Sequence, residues 1–271
     1  MRKGTVLCCP VCKSQLDEND SSFICVNHHC FDIAREGYVN LLCGSHKKGD
    51  LVGDNKEMAL SRRLFLEKGY YCSLAASISK LLKESDFIRP TVLDICCGEG
   101  YYSQYIQNEN DCELYGFDIS KNMVRLASKR NLNAQFFVAN LSDIPVFDKS
   151  IDFAFHLFAP FHKNEFSRIL SENGLLVTAV PGERHLWQLK ETVYSTPYQN
   201  EVTLPESEGL KLFDTLIVRD RITLSDSEDI MSLFKMTPYY YHTPRSGIEK
   251  LMKTQSLETE IEFILAIYKK E

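Results

Sequence analysis

Cys9, Cys12, Cys25 and His29 are spaced C-x2-C-x12-C-x3-H. Two cysteines two residues apart put both thiolates on one side of a tight turn. A second pair at the far end of a hairpin completes a tetrahedron, the geometry zinc prefers. Asp17–Ser22 is polar turn material, and Phe23-Ile24 is expected to be the strand leading into the second pair. Protein side chains would fill all four positions, so the expectation is a closed, structural Zn2+ site. Cys8, His28 and Cys30 are spare ligands, and they leave the choice of ligands more open than the site itself. The chain has 10 cysteines in 271 residues and no apolar leader after Met1. That argues for a reducing, cytoplasmic setting and metal ligation over a disulfide framework.

A second constellation lies at Thr91–Ser103. Val92, Leu93 and Ile95 make a short apolar run suited to a buried parallel strand, with Asp94 near its carboxyl end. Gly98 and Gly100 follow, and then a segment that can be helical. Strand, glycine turn and helix bring backbone close to a nucleotide-like ligand. Glu113–Asp118 reads as a second strand ending in an acid, where a doubly wound fold holds ribose hydroxyls. Two glycines alone would fit a tight turn in any α/β protein. The full pattern, Asp-x-x-x-Gly-x-Gly and then a strand closed by Asp118, resembles class I S-adenosylmethionine (SAM) methyltransferases. Cys96 stands where that family usually has glycine, so either the turn is altered or a strain cost is expected.

The resemblance narrows along the chain. Cys9-Pro-x-Cys12, Cys25…His29, Phe31-Asp…Glu36-Gly-Tyr-Val-Asn-Leu-Leu42 and Leu93-Asp-Ile…Cys97-Gly-Glu-Gly-Tyr-Tyr102 resemble the 23S ribosomal RNA (guanine-N1)-methyltransferases. Ala159-Pro160, Pro181-Gly-x-Arg-His-Leu186 with Leu189-Lys190, and Met236-Thr-Pro238 extend the likeness, which fades after Tyr240. It implies a zinc module that grips RNA, a Rossmann-like domain for chemistry and 23S rRNA as partner. It also implies SAM contacts at Tyr71, Tyr102, Ser103 and His185. Asp94, Gly98, Gly100 and Asp118 are assigned to SAM from the motif itself. Asn140, after a third strand, is either an adenine-side contact or a turn asparagine. Phe158-Ala-Pro-Phe161 stands at a strand's carboxyl end, and either ring could stack on a base or pack in the core. The acidic or amide residue that precedes Pro-Pro in exocyclic-amine methyltransferases is missing there. No general base is identified.

The positioning elements follow from periodicity. Helices are expected from Asp54 or Asn55 to Lys68, with Gly69 as stop, at Tyr71–Lys83, from a Ser120 cap to Arg130, at a segment closed by Phe166–Leu170, and at Leu186–Tyr194. A capping box at Ser225–Glu228 should open another. Strands are expected at 134–139, 151–157, 174–180, 215–224 and 260–268. The expected class is α/β, a Rossmann-like methyltransferase domain with a small zinc module. The division is residues 1–35 zinc-binding, 36–85 a helical connector and 86–271 the SAM-dependent domain. Net charge is −6, which argues against a surface coated for nucleic acid. Residues 1–68 carry 10 Lys+Arg against 9 Asp+Glu, so RNA contact is expected to lean on that part, with Lys47, Lys48, Arg62 and Arg63 following the zinc module. Arg62 and Arg63 read more readily as solvated helix residues. No stretch is long and apolar enough for a transmembrane helix. Oligomeric state stays open, a homodimer included. Two other functions fit less of the pattern: a small-molecule SAM methyltransferase braced by zinc, and a non-catalytic zinc-ribbon RNA binder.

Overall fold

The computed structural model describes residues 5–43, 56–130, 132–206 and 208–271. The expected loop at 44–54, its Lys47 and Lys48, and the Asp54 or Asn55 cap lie outside the described residues.

The chain begins with a small antiparallel ribbon, β1 (Leu16–Asn19), β2 (Ser22–Cys25) and β3 (Cys30–Asp32), in the order β1-β2-β3. β4 (Val39–Asn40) then pairs parallel to a strand of the large sheet. This strand falls within the stretch read as a helical connector. Helices α1 (Lys56–Glu67) and α2 (Cys72–Lys83) follow. Gly69 turns the chain between them at φ +79°, its N–H bonding the Leu66 carbonyl, as expected of a helix stop.

The α/β succession is β5 (Thr91–Ile95), α3 (Tyr101–Glu109), β6 (Glu113–Asp118), α4 (Lys121–Ser128), β7 (Ala134–Val138), β8 (Ile151–Leu157), α5 (Lys163–Ile169), β9 (Leu170–Pro181) and α6 (Trp187–Val193). It ends in β10 (Leu210–Leu224), α7 (Ser227–Lys235), a 3-10 turn (Pro238–Tyr241), α8 (Arg245–Lys253) and β11 (Leu257–Lys270). One eight-stranded sheet has the order β10-β11-β9-β8-β5-β6-β7-β4, with β11 antiparallel to both neighbours. The order runs outward in both directions from β5, so β5 and β8 flank the switch point, where open α/β sheets hold ligands. β5 is buried along its whole length, as a central parallel strand must be.

Two apolar layers sandwich the sheet. One face packs α2, α3, α6 and α7 through Leu74, Ile106, Leu189 and Leu233. The other carries Leu93, Phe137 and Phe166 and includes Leu7, Leu16 and Phe23 of the ribbon. The ribbon is therefore docked through core residues. Cys8 N–H donates to the Pro145 carbonyl and Phe147 N–H to the Val6 carbonyl, which stitch it to the loop after β7.

Two local readings need correction. α7 is capped by Asp226, whose carboxylate accepts the Asp229 N–H at 2.8 Å, and not by a Ser225–Glu228 box. Ser120 occupies the N-cap position of α4 without a side-chain bond; Asp118 Oδ1 accepts its N–H instead. The helix Arg245–Lys253 is not foretold by the pattern read above.

Candidate active site and metal centre

The four expected zinc ligands converge. Their ligand atoms all lie within 4.8 Å of one another. Cys9 Sγ and Cys25 Sγ each stand 3.4 Å from His29 Nδ1, and Cys12 Sγ is 3.7 Å from Cys25 Sγ. A tetrahedral Zn2+ with ordinary bond lengths needs S···S near ~3.8 Å and S···N near ~3.5 Å, so the donor set fits. Two turns make the knuckles, with Lys13 N–H bonding the Cys9 carbonyl and His28 N–H the Cys25 carbonyl. Both turns put a non-glycine residue in the left-handed region, Lys13 at φ 60° and His28 at φ 62°. The spares are excluded by position: Cys8 is buried against the sheet, while His28 and Cys30 face solvent.

The second site is a cavity of about 630 Å³ at the carboxyl ends of β5, β8 and β9, within the size range of small-molecule sites. Its floor is the turn Cys96–Gly100. Cys96 keeps the left-handed conformation, φ 59°, despite its side chain. The turn holds a cysteine in a glycine-favouring conformation and carries a strain of about 1–2 kcal/mol. Gly98 has φ +55° and open space where a Cβ would stand. Gly100, at φ +84°, would push a Cβ to 2.9 Å from Ala127 Cβ, so it is required both for conformation and for α3–α4 packing.

Of the residues expected to hold SAM, Tyr71, Asp94, Gly98, Tyr102 and His185 line the cavity. Gly100, Ser103, Asp118 and Asn140 do not. Ser103 is fully buried behind Asp94 and donates to its Oδ2 at 2.5 Å. Asp118 accepts the Gly98 N–H at 3.1 Å, which puts it beside the cavity floor. Asn140 Oδ1 accepts the Ser142 N–H, the bond of a turn asparagine.

The floor is acidic. Burial pushes the Asp94 carboxyl up to about 8, and the nearby Asp118 and Glu99 charges add to this. Glu99 is buried; one carboxylate oxygen pairs with Arg130, while Oε1 has no hydrogen-bond partner. The buried Tyr102 hydroxyl also lacks a partner. Unsatisfied buried polar atoms beside a cavity suit a polar ligand. His185 is held neutral, its pKa lowered to about 3 by burial and by the charge of Lys190. Its Nδ1 accepts the Glu262 N–H at 3.3 Å, so the proton sits on Nε2 and the ring can only donate.

The opposite wall is aromatic. Phe158 directly follows β8 in the left-handed region at φ 58° and is 43% exposed. Phe161 also borders the cavity but packs its ring on Phe166, 4.9 Å away. Buried His156 holds this loop by an Nε2–H bond to the Pro160 carbonyl, and burial lowers its pKa to about 4. Tyr198, Asn200 and Tyr239 complete the wall.

Sequence reasoning missed several residues here. Arg62, read as solvated, lines the cavity together with Leu66. Their i,i+4 spacing on α1 was the available signal. Glu99, His156 and Tyr198 gave none, because their roles depend on segments far apart in the chain.

Comparison with known proteins matches two segments of the chain. The zinc-ribbon family described as "RlmA, N-terminal" matches residues 7–49, and a methyltransferase domain matches residues 92–174. The 23S rRNA (guanine(748)-N(1))-methyltransferase of Streptomyces fradiae is 32% identical over 71% of this chain and 70% of its own. A Micromonospora griseorubida protein provisionally named a 23S rRNA (guanine-N(1)-)-methyltransferase is 30% identical over 87% of this chain and 86% of its own. The chain belongs to the 23S rRNA (guanine-N1)-methyltransferase family. YxjB of Bacillus subtilis (strain 168), with the same provisional name, is 27% identical over 96% of both chains. As a family member the chain is a SAM-dependent methyltransferase, and its Cys/Cys/Cys/His cluster is a structural zinc site. No helix among the described residues is long and apolar enough to cross a membrane.

Proposed function

We propose that this protein methylates N1 of a guanine in 23S rRNA, with the ribbon contributing to RNA recognition. The observation that carries this reading is one chain joining a closed Cys3His ribbon to a cavity with an acidic floor and an aromatic wall. SAM supplies a methyl group on a positively charged sulfur. Asp94, Glu99 and Asp118 favour that charge and the cofactor's ammonium, and Asp118 takes the ribose hydroxyls beside Gly98. Arg62 suits the cofactor carboxylate. Tyr71, Tyr102 and the His185 Nε2–H orient it, with Gly100 and Ser103 holding the turn and Asp94 from behind. Asn140, held in its turn by the Ser142 N–H, would stand on the adenine side through its remaining amide group.

On the other side, Phe158 offers an exposed ring on which an extruded guanine stacks. The N1 proton leaves to solvent and the N1 lone pair bonds the methyl carbon. The carbon–sulfur bond breaks with its electrons on sulfur, giving S-adenosylhomocysteine. Alignment of nitrogen and carbon supplies much of the rate.

Residues 1–35 serve as the zinc module and 36–85 as connector, with β4 joining that connector to the domain at 86–271. Lys47 and Lys48 are proposed phosphate contacts. The enzyme is proposed to work in the cytoplasm, and sedimentation would decide whether it acts as a homodimer. Incubation with labelled SAM and 23S rRNA, followed by nuclease mass mapping, should give one N1-methylguanosine. Transfer to small molecules without RNA would overturn the reading.

A further inference from the structure

Lys190 has no role in the reading above, yet its surroundings are unusual. It lies on α6 and is fully buried. Among the described residues no carboxylate pairs with it. Its Nζ donates to the Tyr198 carbonyl at 2.9 Å and to Asn200 Oδ1 at 2.6 Å, and stands 4.6 Å and 5.2 Å from the ring centres of Tyr198 and Tyr239. A buried ammonium held only by neutral acceptors and ring faces is costly, and burial lowers its pKa from the ordinary lysine value. All three partners line the cavity, so the charge sits one layer behind its wall. Asn200 carries the arrangement further. Its Nδ2 donates to the Gly182 carbonyl, its N–H to the Glu183 carbonyl, and its Oδ1 also accepts the Tyr239 hydroxyl.

The other charged groups around α6 have partners of their own or lie elsewhere. On β11, Glu260 pairs with Arg184 and Glu262 with Arg219. On α8, Glu249 pairs with Arg245, and Lys250 and Lys253 add positive charge. On α6 itself, Glu191 accepts the Trp187 indole N–H. Glu183 and Glu201 are exposed on the adjoining loops, and the titratable phenols are Tyr194, Tyr198 and Tyr239.

We propose that Lys190 is a positioning residue that builds the substrate-side wall and favours the N1-deprotonated, anionic form of the guanine bound against it. This rests on the proposed function. Guanine becomes nucleophilic at N1 only as its anion, and an uncompensated charge in a low-dielectric wall favours that form over the neutral base.

The test compares wild type, Lys190→Met and Lys190→Arg on transcribed 23S rRNA, reading N1-methylguanosine from mildly acidic to alkaline pH. Lys190→Met should be about tenfold slower at neutral pH, one unit of displaced ionisation, with the gap closing at alkaline pH. Lys190→Arg should keep the wild-type midpoint. A loss of equal size at every pH, or no loss, would overturn the proposal. If Lys190→Met does not fold, Lys190→Gln carries the same comparison. A measurement without catalysis separates this inference from the methylation reading. 8-Azaguanine ionises more readily than guanine, so wild type should bind it about tenfold more tightly once it is ionised. Wild-type affinity indifferent to that ionisation would overturn the role of Lys190, whatever the rRNA assay gives.

Discussion

The zinc ribbon and the cavity floor both keep non-glycine residues in the left-handed region. Lys13 and His28 do so in the knuckles, Cys96 and Phe158 at the cavity. The two regions offset that strain differently. The ribbon has three strands of three or four residues and a small apolar contribution, so metal–ligand bonds must hold its turns. The cavity turns follow β5, buried along its whole length, and β8, buried but for Asp152, in an eight-stranded sheet, so packing holds them with or without ligand. A ligand-dependent site and a preformed one thus share one chain.

Removing zinc should break the comparison most strongly. Structural zinc contributes on the order of 10 kcal/mol to a small module, so chelation or a Cys12→Ser/Cys25→Ser change should unfold the ribbon before the sheet. Hydrogen exchange would then rise first over residues 5–35, with SAM binding retained. Ribbon and sheet melting together would make the shared apolar layer, and not the metal, the main support. Purified protein should hold one zinc per chain.

Acidity of the floor gives the next effect. Burial pushes the Asp94 carboxyl up to about 8, well above the ordinary carboxylate range near ~3.9. The folded state therefore binds the extra proton between those values, and its stability contribution is lost as pH rises through that window. Asp94→Asn should flatten the fall in melting temperature across it. The cationic cofactor favours the ionised carboxyl, so SAM affinity should rise toward pH 8 with proton release, visible by calorimetry in buffers of different ionisation enthalpy. PH-independent binding would contradict this.

Asp118→Ala should stay folded yet lose ~1.5–3 kcal/mol of SAM affinity, with unchanged calorimetric affinity rejecting the ribose role. A smaller gain is expected from Cys96→Gly. Relief of left-handed strain should stabilise the protein by about 1 kcal/mol, read in urea unfolding, and a loss would mean that the cysteine packing outweighs the strain. The smallest effect concerns the ribbon's partner. Lys47→Glu/Lys48→Glu should weaken rRNA binding and make its salt dependence shallower without touching SAM affinity.

The sequence by itself determined what depends on short-range spacing. The existence of a metal site follows from the spacing of the Cys9/Cys12 and Cys25/His29 pairs, and the places of Asp94, Gly98 and Gly100 follow from a strand-to-helix turn. The strands Glu113–Asp118 and Ile151–Leu157 are as read, because apolar runs bounded by turn residues need no distant partner. Tertiary structure decided the rest. Only folding brings Arg62 of α1 to the floor near Tyr102, ties Glu99 to Arg130, and sets Lys190 behind Tyr198 and Tyr239. It also chose among the spare ligands by burying Cys8 and exposing His28 and Cys30, and it gave Asp226 the cap expected of Ser225. Apart from the Asp226 cap, which is a local choice between neighbouring residues, the physical reason is shared. A side chain's charge, burial and partners are set by elements that meet only in the folded core, and local spacing carries no information about them.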